Sequence, residues 1–192
     1  MKRLKLALMA LIVFVSVISF SSPANAAGYY YKYKGYSGNN AQFVTSKSFV
    51  NAVKKGKVTV NNYTVVNKVS EQSLQKSAQV MMTYALENKK VKSKYIKRKY
   101  DTDIFLNDNL KVYSIIMPVK KGKITKNQFI KTYGKNYSEA QIIENEVSVY
   151  YKFKNHYFEG VFNKKNQLIG ISFSSHLSGQ FGKDLDEMLF SE

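Results

Sequence analysis

The 192-residue chain contains no cysteine, which removes disulfides, zinc–thiolate sites and thiol nucleophiles together. It has two histidines, His156 and His176, and they do not stand in a metal-ligand spacing such as H-x-x-x-H. The nucleophile elbow, the phosphate-binding glycine loop and the dinucleotide fingerprint are missing as well. Serine, histidine and aspartate occur in any chain of this length, so a triad needs geometry to support it. Asp101, Asp103, Glu144 or a histidine would have to line a deep pocket to revive a hydrolase. The expectation is therefore no catalytic residue, no cofactor and no metal. Acidic residues are absent from Ala27 to Ser70, and Arg98 is the one arginine after the first three residues. After Phe20 no apolar run approaches the roughly 20 residues that span a bilayer.

What is present begins with a positive start, Lys2, Arg3 and Lys5, followed by an apolar stretch from Leu6 to Phe20 with two serines in it. Ser21, Ser22 and Pro23 break it, and Ala24-Asn25-Ala26 offers small residues where a signal peptidase needs them. Residues 1–26 read as a signal peptide cleaved after Ala26. Residues 27–192 then read as a single secreted domain, extracellular, with attachment to the cell surface left open. A chain of that length can bury a real core, but without cysteine it holds together by packing and hydrogen bonds alone.

Removing Lys2, Arg3 and Lys5 takes the formal charge from +17 to +14. Such a charge favours polyanionic partners: nucleic acid, anionic lipid, wall polymer or sulfated polysaccharide. Lysine supplies nearly all of it. Lysine acts as a point charge, whereas bidentate reading of guanine or phosphate belongs to arginine. Any nucleic-acid binding should therefore carry little sequence preference.

Hydrophobic patterning predicts an α+β fold, an antiparallel sheet with two or three helices packed mainly on one side. Strands are expected at Tyr29–Tyr36, Ala41–Val44, Lys57–Val60 and Tyr63–Val69, the last two as a hairpin around Asn61-Asn62. Ser46 is expected to cap a short helix ending at Gly56, and Thr125 with Gln128 to form a capping box for a helix closed by Gly134. Leu74, Ala78, Met81, Met82, Ala85 and Leu86 form a helical stripe. Further strands are expected at Asp103–Leu106, Leu110–Met117, Val147–Phe153, Tyr157–Phe162 and Leu168–Phe173, with a small helix over Asp184–Phe190.

The candidate binding residues are the basic block Lys89, Lys90, Lys92, Lys94, Lys97, Arg98 and Lys99, together with Lys32, Lys34, Tyr31 and Tyr33. Dense like charge repels itself and often marks an interaction segment. Tyrosines interleaved with lysine give stacking faces beside positive charge, the arrangement of sequence-tolerant single-strand binders. The competing role for each tyrosine is packing, since tyrosine also suits a half-buried sheet. A third block, Lys120, Lys121, Lys123, Lys126, Lys131 and Lys135, adds to the charge.

The run Tyr30-Tyr31-Lys32-Tyr33-Lys34-Gly35-Tyr36-Ser37-Gly38-Asn39-Asn40-Ala41-Gln42-Phe43, followed by Lys47-Ser48-Phe49-Val50-Asn51-Ala52-Val53, resembles the mature start of the immunodominant staphylococcal antigen B family. Phe129, Tyr133, Gly134 and Lys135 give a weaker echo of it. The resemblance implies a secreted, surface-associated antigen that binds extracellular DNA or RNA without evident sequence specificity, and it transfers no particular binding residue. The alternative is a surface antigen held by anionic wall polymer that engages a host protein.

Overall fold

The computed structural model describes residues 30–66, 70, 73, 93–143, 146–154 and 156–175. The signal peptide, the Leu74–Leu86 stripe, His176 and the expected closing helix lie outside these residues. In chain order the elements are β1 (Tyr31–Tyr33), a 3₁₀ turn (Gln42–Thr45), α1 (Lys47–Lys54), β2 (Val58–Val60), β3 (Ile96–Lys99), β4 (Thr102–Leu106), β5 (Val112–Pro118), α2 (Lys126–Tyr133), β6 (Ser138–Ile143), β7 (Glu146–Phe153), β8 (His156–Asn163) and β9 (Leu168–Ser174).

Strands β3 to β9 build one antiparallel sheet in the order β3-β4-β5-β9-β8-β7-β6. Alternation decides its faces. Ile115, Phe173, Phe158 and Tyr151 stand opposite one another across four neighbouring strands and are all buried. Both described helices dock on that face. Phe49 of α1 meets Phe173 at 5.9 Å and Phe158 at 6.2 Å, and Phe129 of α2 meets Phe162 at 5.3 Å and Phe158 at 5.6 Å. The other face carries a buried carboxylate. Glu159 accepts a hydrogen bond from Ser172 at 2.7 Å and another from Ser148, which keeps its charge from lying uncompensated in the interior.

The architecture is more strongly β than the patterning suggested, and three expectations change. β1 and β2 pair in parallel, Tyr31 with Val58 and Tyr33 with Val60, because α1 provides the crossover that parallel strands need. The Asn61-Asn62 turn does form, with φ of 51° and 75°, the positive pair of a tight hairpin turn. It closes only the Val60–Tyr63 bridge, and no strand follows through 63–66. Ala41–Val44 is not a strand. Phe43 and Val44 are both buried, which adjacent residues on a strand cannot achieve on one face but a 3₁₀ turn can.

The helix boundaries follow the capping chemistry. Gln128 N–H donates to Thr125 Oγ1 at 3.2 Å, and Thr125 N–H donates to Gln128 Oε1 at 2.8 Å, the reciprocal box. At the end of α1, Gly56 N–H donates to Val53 O at 3.0 Å and Lys57 N–H to Ala52 O at 2.9 Å, a Schellman closure with Gly56 at φ 64°. His156, at the start of β8, adds a third contact by donating Nε2–H to Val53 O at 2.6 Å. A Cβ on Gly56 would stand 2.9 Å from His156 Nδ1, so only glycine allows the ring to approach.

Burial lowers the proton affinity of His156 below the ordinary histidine value, although the bond to the Val53 carbonyl pulls the other way. The unfolded chain then holds more protons than the folded one just below the ordinary histidine pKa of about 6.5. The His156 contribution is therefore complete above that value and is lost as pH falls through the folded pKa. Thermal melts between about pH 7 and pH 5 should show a fall in stability that His156→Gln reduces. Identical pH profiles for the two proteins would remove His156 from the account.

Candidate functional site

The motif that carries the family resemblance forms a corner with the β3–β4 turn. Asp101 accepts from Ser37 N–H at 2.9 Å, Gly38 N–H at 2.7 Å and Ser37 Oγ at 3.2 Å. A Cβ on Gly38 would lie 3.1 Å from the same carboxylate, which explains a glycine there. Asn61, buried at φ 51°, accepts from Gly35 N–H at 2.8 Å and donates Nδ2–H to Thr102 Oγ1 at 3.0 Å and Lys99 O at 3.3 Å. One amide thus bridges the Lys34-Gly35-Tyr36 segment to Lys99-Tyr100. Gly35 at φ 119° has the freedom this turn needs.

The product of these bonds is an exposed aromatic pair. Tyr36 and Tyr100 meet edge to face with ring centroids 5.1 Å apart, and are 59% and 37% exposed. Tyr100 holds φ 57°, a left-handed conformation that disfavours L-residues by roughly 1–2 kcal/mol and persists only where its surroundings over-determine it. Lys99 Nζ stands 5.5 Å from the Tyr100 ring centroid, within cation–π reach.

Tyr31 and Tyr33, expected to stack on a ligand, face inward instead. Tyr31 packs edge-on to Phe49 at 5.1 Å and Tyr33 lies 4.6 Å from Phe43. Desolvation raises the phenol pKa of both, with the Asp101 carboxylate adding to the rise at Tyr33. Tyr33 also donates its hydroxyl to Tyr36 O at 2.9 Å, supporting the corner from beneath. The outward-facing positions of this segment belong to Tyr30, 47% exposed, and Tyr36.

Lys32 and Lys34 are exposed, with Lys32 Nζ 5.5 Å from the Tyr30 ring centroid. Lys94 is exposed beside Tyr95, its Nζ 5.0 Å from the ring centroid. Lys97, Arg98 and Lys99 occupy the exposed strand β3. Arg98 Nε lies 3.4 Å from Asp103 Oδ1, so the arginine is engaged within the protein. Lys89, Lys90 and Lys92 lie outside the described residues. The structure therefore brings Lys34 and Lys99 to the Tyr36–Tyr100 pair, with Lys97 two residues before Lys99 on β3. Elsewhere, Lys123 and Lys131 flank an open groove also lined by Thr45, Ile124, Gln128 and Thr132. Among the described residues no cluster of three or more His, Asp or Glu is placed to hold a metal.

Sequence reasoning missed Asn61 and Asp101 as the organisers of this corner. In the sequence Asp101 stood out only as a possible pocket carboxylate, and its partners include backbone amides more than sixty residues away.

Fold and corner together define a basic, mainly antiparallel α+β protein that presents a fixed aromatic pair among lysines. The chain belongs to the immunodominant staphylococcal antigen B family, whose model matches residues 30–173. That membership makes it a relative of a staphylococcal surface antigen and is consistent with an extracellular location. Among the described residues no helix is long and apolar enough to cross a membrane. A search of curated proteins finds no match. Among solved structures, the chain is similar to a DUF4309 family protein, YjgB, from Bacillus subtilis, at 12% identity and a TM-score of 0.48, over 71% of this chain and 98% of that one.

Proposed function

We propose that this protein is a secreted, surface-associated, non-enzymatic binder of extracellular nucleic acid with little sequence preference. The observation that carries the reading is the exposed Tyr36–Tyr100 pair, fixed by Asp101 and Asn61 and flanked by Lys34 and Lys99, with Lys97 exposed farther along β3. Stacking on an aromatic face contributes about 1–3 kcal/mol per base and tolerates any base. Lysine neutralises phosphate without reading sequence. Arg98, the residue type suited to reading guanine, is instead turned to Asp103.

The test is fluorescence anisotropy of residues 27–192 with a labelled duplex, a labelled single strand and labelled heparin across a salt series. Nucleic acid should bind more tightly than heparin, with a log–log salt slope of about −0.9 per phosphate contact on duplex and about −0.7 on a single strand. Lys97→Glu with Lys99→Glu should weaken binding and flatten that slope by about one to two units. Arg98 is left intact, because a glutamate there would face the buried Asp103. Equal weak binding to all three probes would reduce the charge to general stickiness and sink the reading.

A further inference from the structure

The turns at one end of the seven-stranded sheet gather lysines that are far apart in sequence. The β3–β4 turn carries Lys99 and Tyr100, the segment leaving β5 carries Lys120, Lys121 and Lys123, and the β8–β9 turn carries Lys164 and Lys165. Hydrogen bonds stitch these pieces side by side. Lys120 N–H donates to Asn40 O at 3.1 Å, just beyond the Gly38 held by Asp101. Val119 N–H donates to Ile169 O at 3.1 Å, Leu168 N–H to Ile124 O at 2.9 Å, and Lys126 N–H to Asn166 O at 2.9 Å. Lys120, Lys121, Lys123, Lys164 and Lys165 are all exposed.

We infer that this lysine rim is a second part of the binding surface, along which the phosphates of a nucleic-acid strand run once its bases have engaged the Tyr36–Tyr100 pair. The inference rests on the function proposed above and adds a path and a length to it. From the β3–β4 turn to the β8–β9 turn is three strand spacings, about 14 Å at roughly 4.8 Å each. A duplex rises about 3.4 Å per phosphate of one strand along its axis and an unpaired strand is more extended, so the path holds at most about four successive phosphates. Among the described residues the nearby carboxylates leave the path open. Asp101 is bound to the Ser37 and Gly38 amides, and Glu139 is paired with Lys126 at 2.7 Å. Glu146 pairs in register with Asn163 beside the last turn and marks its end.

The experiment measures anisotropy with labelled oligothymidylates of about three and about twelve nucleotides, for the wild type, a rim variant (Lys120→Gln, Lys121→Gln, Lys123→Gln) and a pair variant (Tyr36→Ala, Tyr100→Ala). Thermal melts confirm that the exposed substitutions leave the fold intact. The wild type should bind the longer strand at least tenfold more tightly. The rim variant should lose most of that advantage and about two units of salt slope, with little change on the short strand, whereas the pair variant should weaken both. If the rim variant matches the wild type on the longer strand while the pair variant still fails, the rim inference is overturned and the proposed function stands. If the wild type binds neither strand, the rim inference falls, and the proposed function falls with it when the labelled duplex is not bound either.

Discussion

Phe129→Ala should remove about 3–5 kcal/mol of stability, the range for deleting a buried phenylalanine ring, from a total that for most domains is about 5–15 kcal/mol. Phe129 is fully buried, and its ring contacts Tyr133 at 4.7 Å, Phe162 at 5.3 Å, Phe158 at 5.6 Å and Tyr151 at 6.1 Å. α2 is eight residues long, too short to persist without tertiary packing, and Phe129 and Tyr133 are its buried anchors on the sheet. The sheet makes room with a glycine. A Cβ on Gly160 would stand 2.6 Å from Phe129 Cζ and 3.1 Å from Leu168 Cδ1. Gly160→Ala should therefore cost about 1–3 kcal/mol through overpacking. In the Phe129→Ala background the methyl group enters vacated space, and most of that penalty should disappear. Urea unfolding of the two single variants and the double variant closes the cycle. A loss at Phe129 under about 1 kcal/mol, or strict additivity, would contradict this view of how α2 is held.

The same packing shows which parts of the fold the sequence could announce. β7, β8 and β9 alternate apolar and polar residues, and their expected bounds fall within one or two residues of the observed ones because one face of each is pressed into the core. Thr125, Gln128, Ser46 and Gly56 announced the helix boundaries through local bonds that need no tertiary context. β3 was hidden. Its residues Ile96–Lys99 are mostly exposed, so backbone pairing with β4 makes it a strand, and its lysines are what an outer strand tolerates. β6, at the other end of the strand order, is absent from the expected strands for a similar reason, its first residues being mostly exposed.

The candidate site was legible as composition and not as geometry. Tyrosine and lysine alternate through residues 30–36, but which tyrosines face solvent depends on Phe43 and Phe49 claiming Tyr33 and Tyr31. The role of Lys99 as neighbour to Tyr36 depends on an asparagine side chain between them. The rim lysines share a surface only because three connections end on the same side of the sheet.

Asp101→Ala should lower stability by about 2–3 kcal/mol and weaken nucleic-acid binding about tenfold, the second effect being the informative one. The carboxylate accepts three hydrogen bonds from Ser37 and Gly38, and bonds to a charged group contribute about 1.5–3 kcal/mol each when buried. Partial exposure and their shared origin keep the sum below simple addition. Two effects on binding oppose each other. Removing a negative charge from a lysine-rich surface should tighten polyanion binding, but an exposed charge in salt contributes only about 0–1 kcal/mol. Releasing the Ser37–Gly38 turn frees Tyr36 from Tyr100, so the stacking surface must be ordered anew at each encounter, a cost of about 0.5–1.5 kcal/mol per side chain before any lost stacking. The ordering term is the larger, and the variant should bind more weakly despite its greater positive charge. Asp101→Asn, which keeps the shape and can still accept through one oxygen while losing the acceptor facing Gly38 N–H, should fall between the variant and the wild type. Anisotropy at low and moderate salt, with a thermal melt for each protein, separates the terms. Tighter binding by Asp101→Ala at both salt concentrations would mean that Asp101 acts there only as a charge and that the fixed tyrosine pair plays no part in recognition.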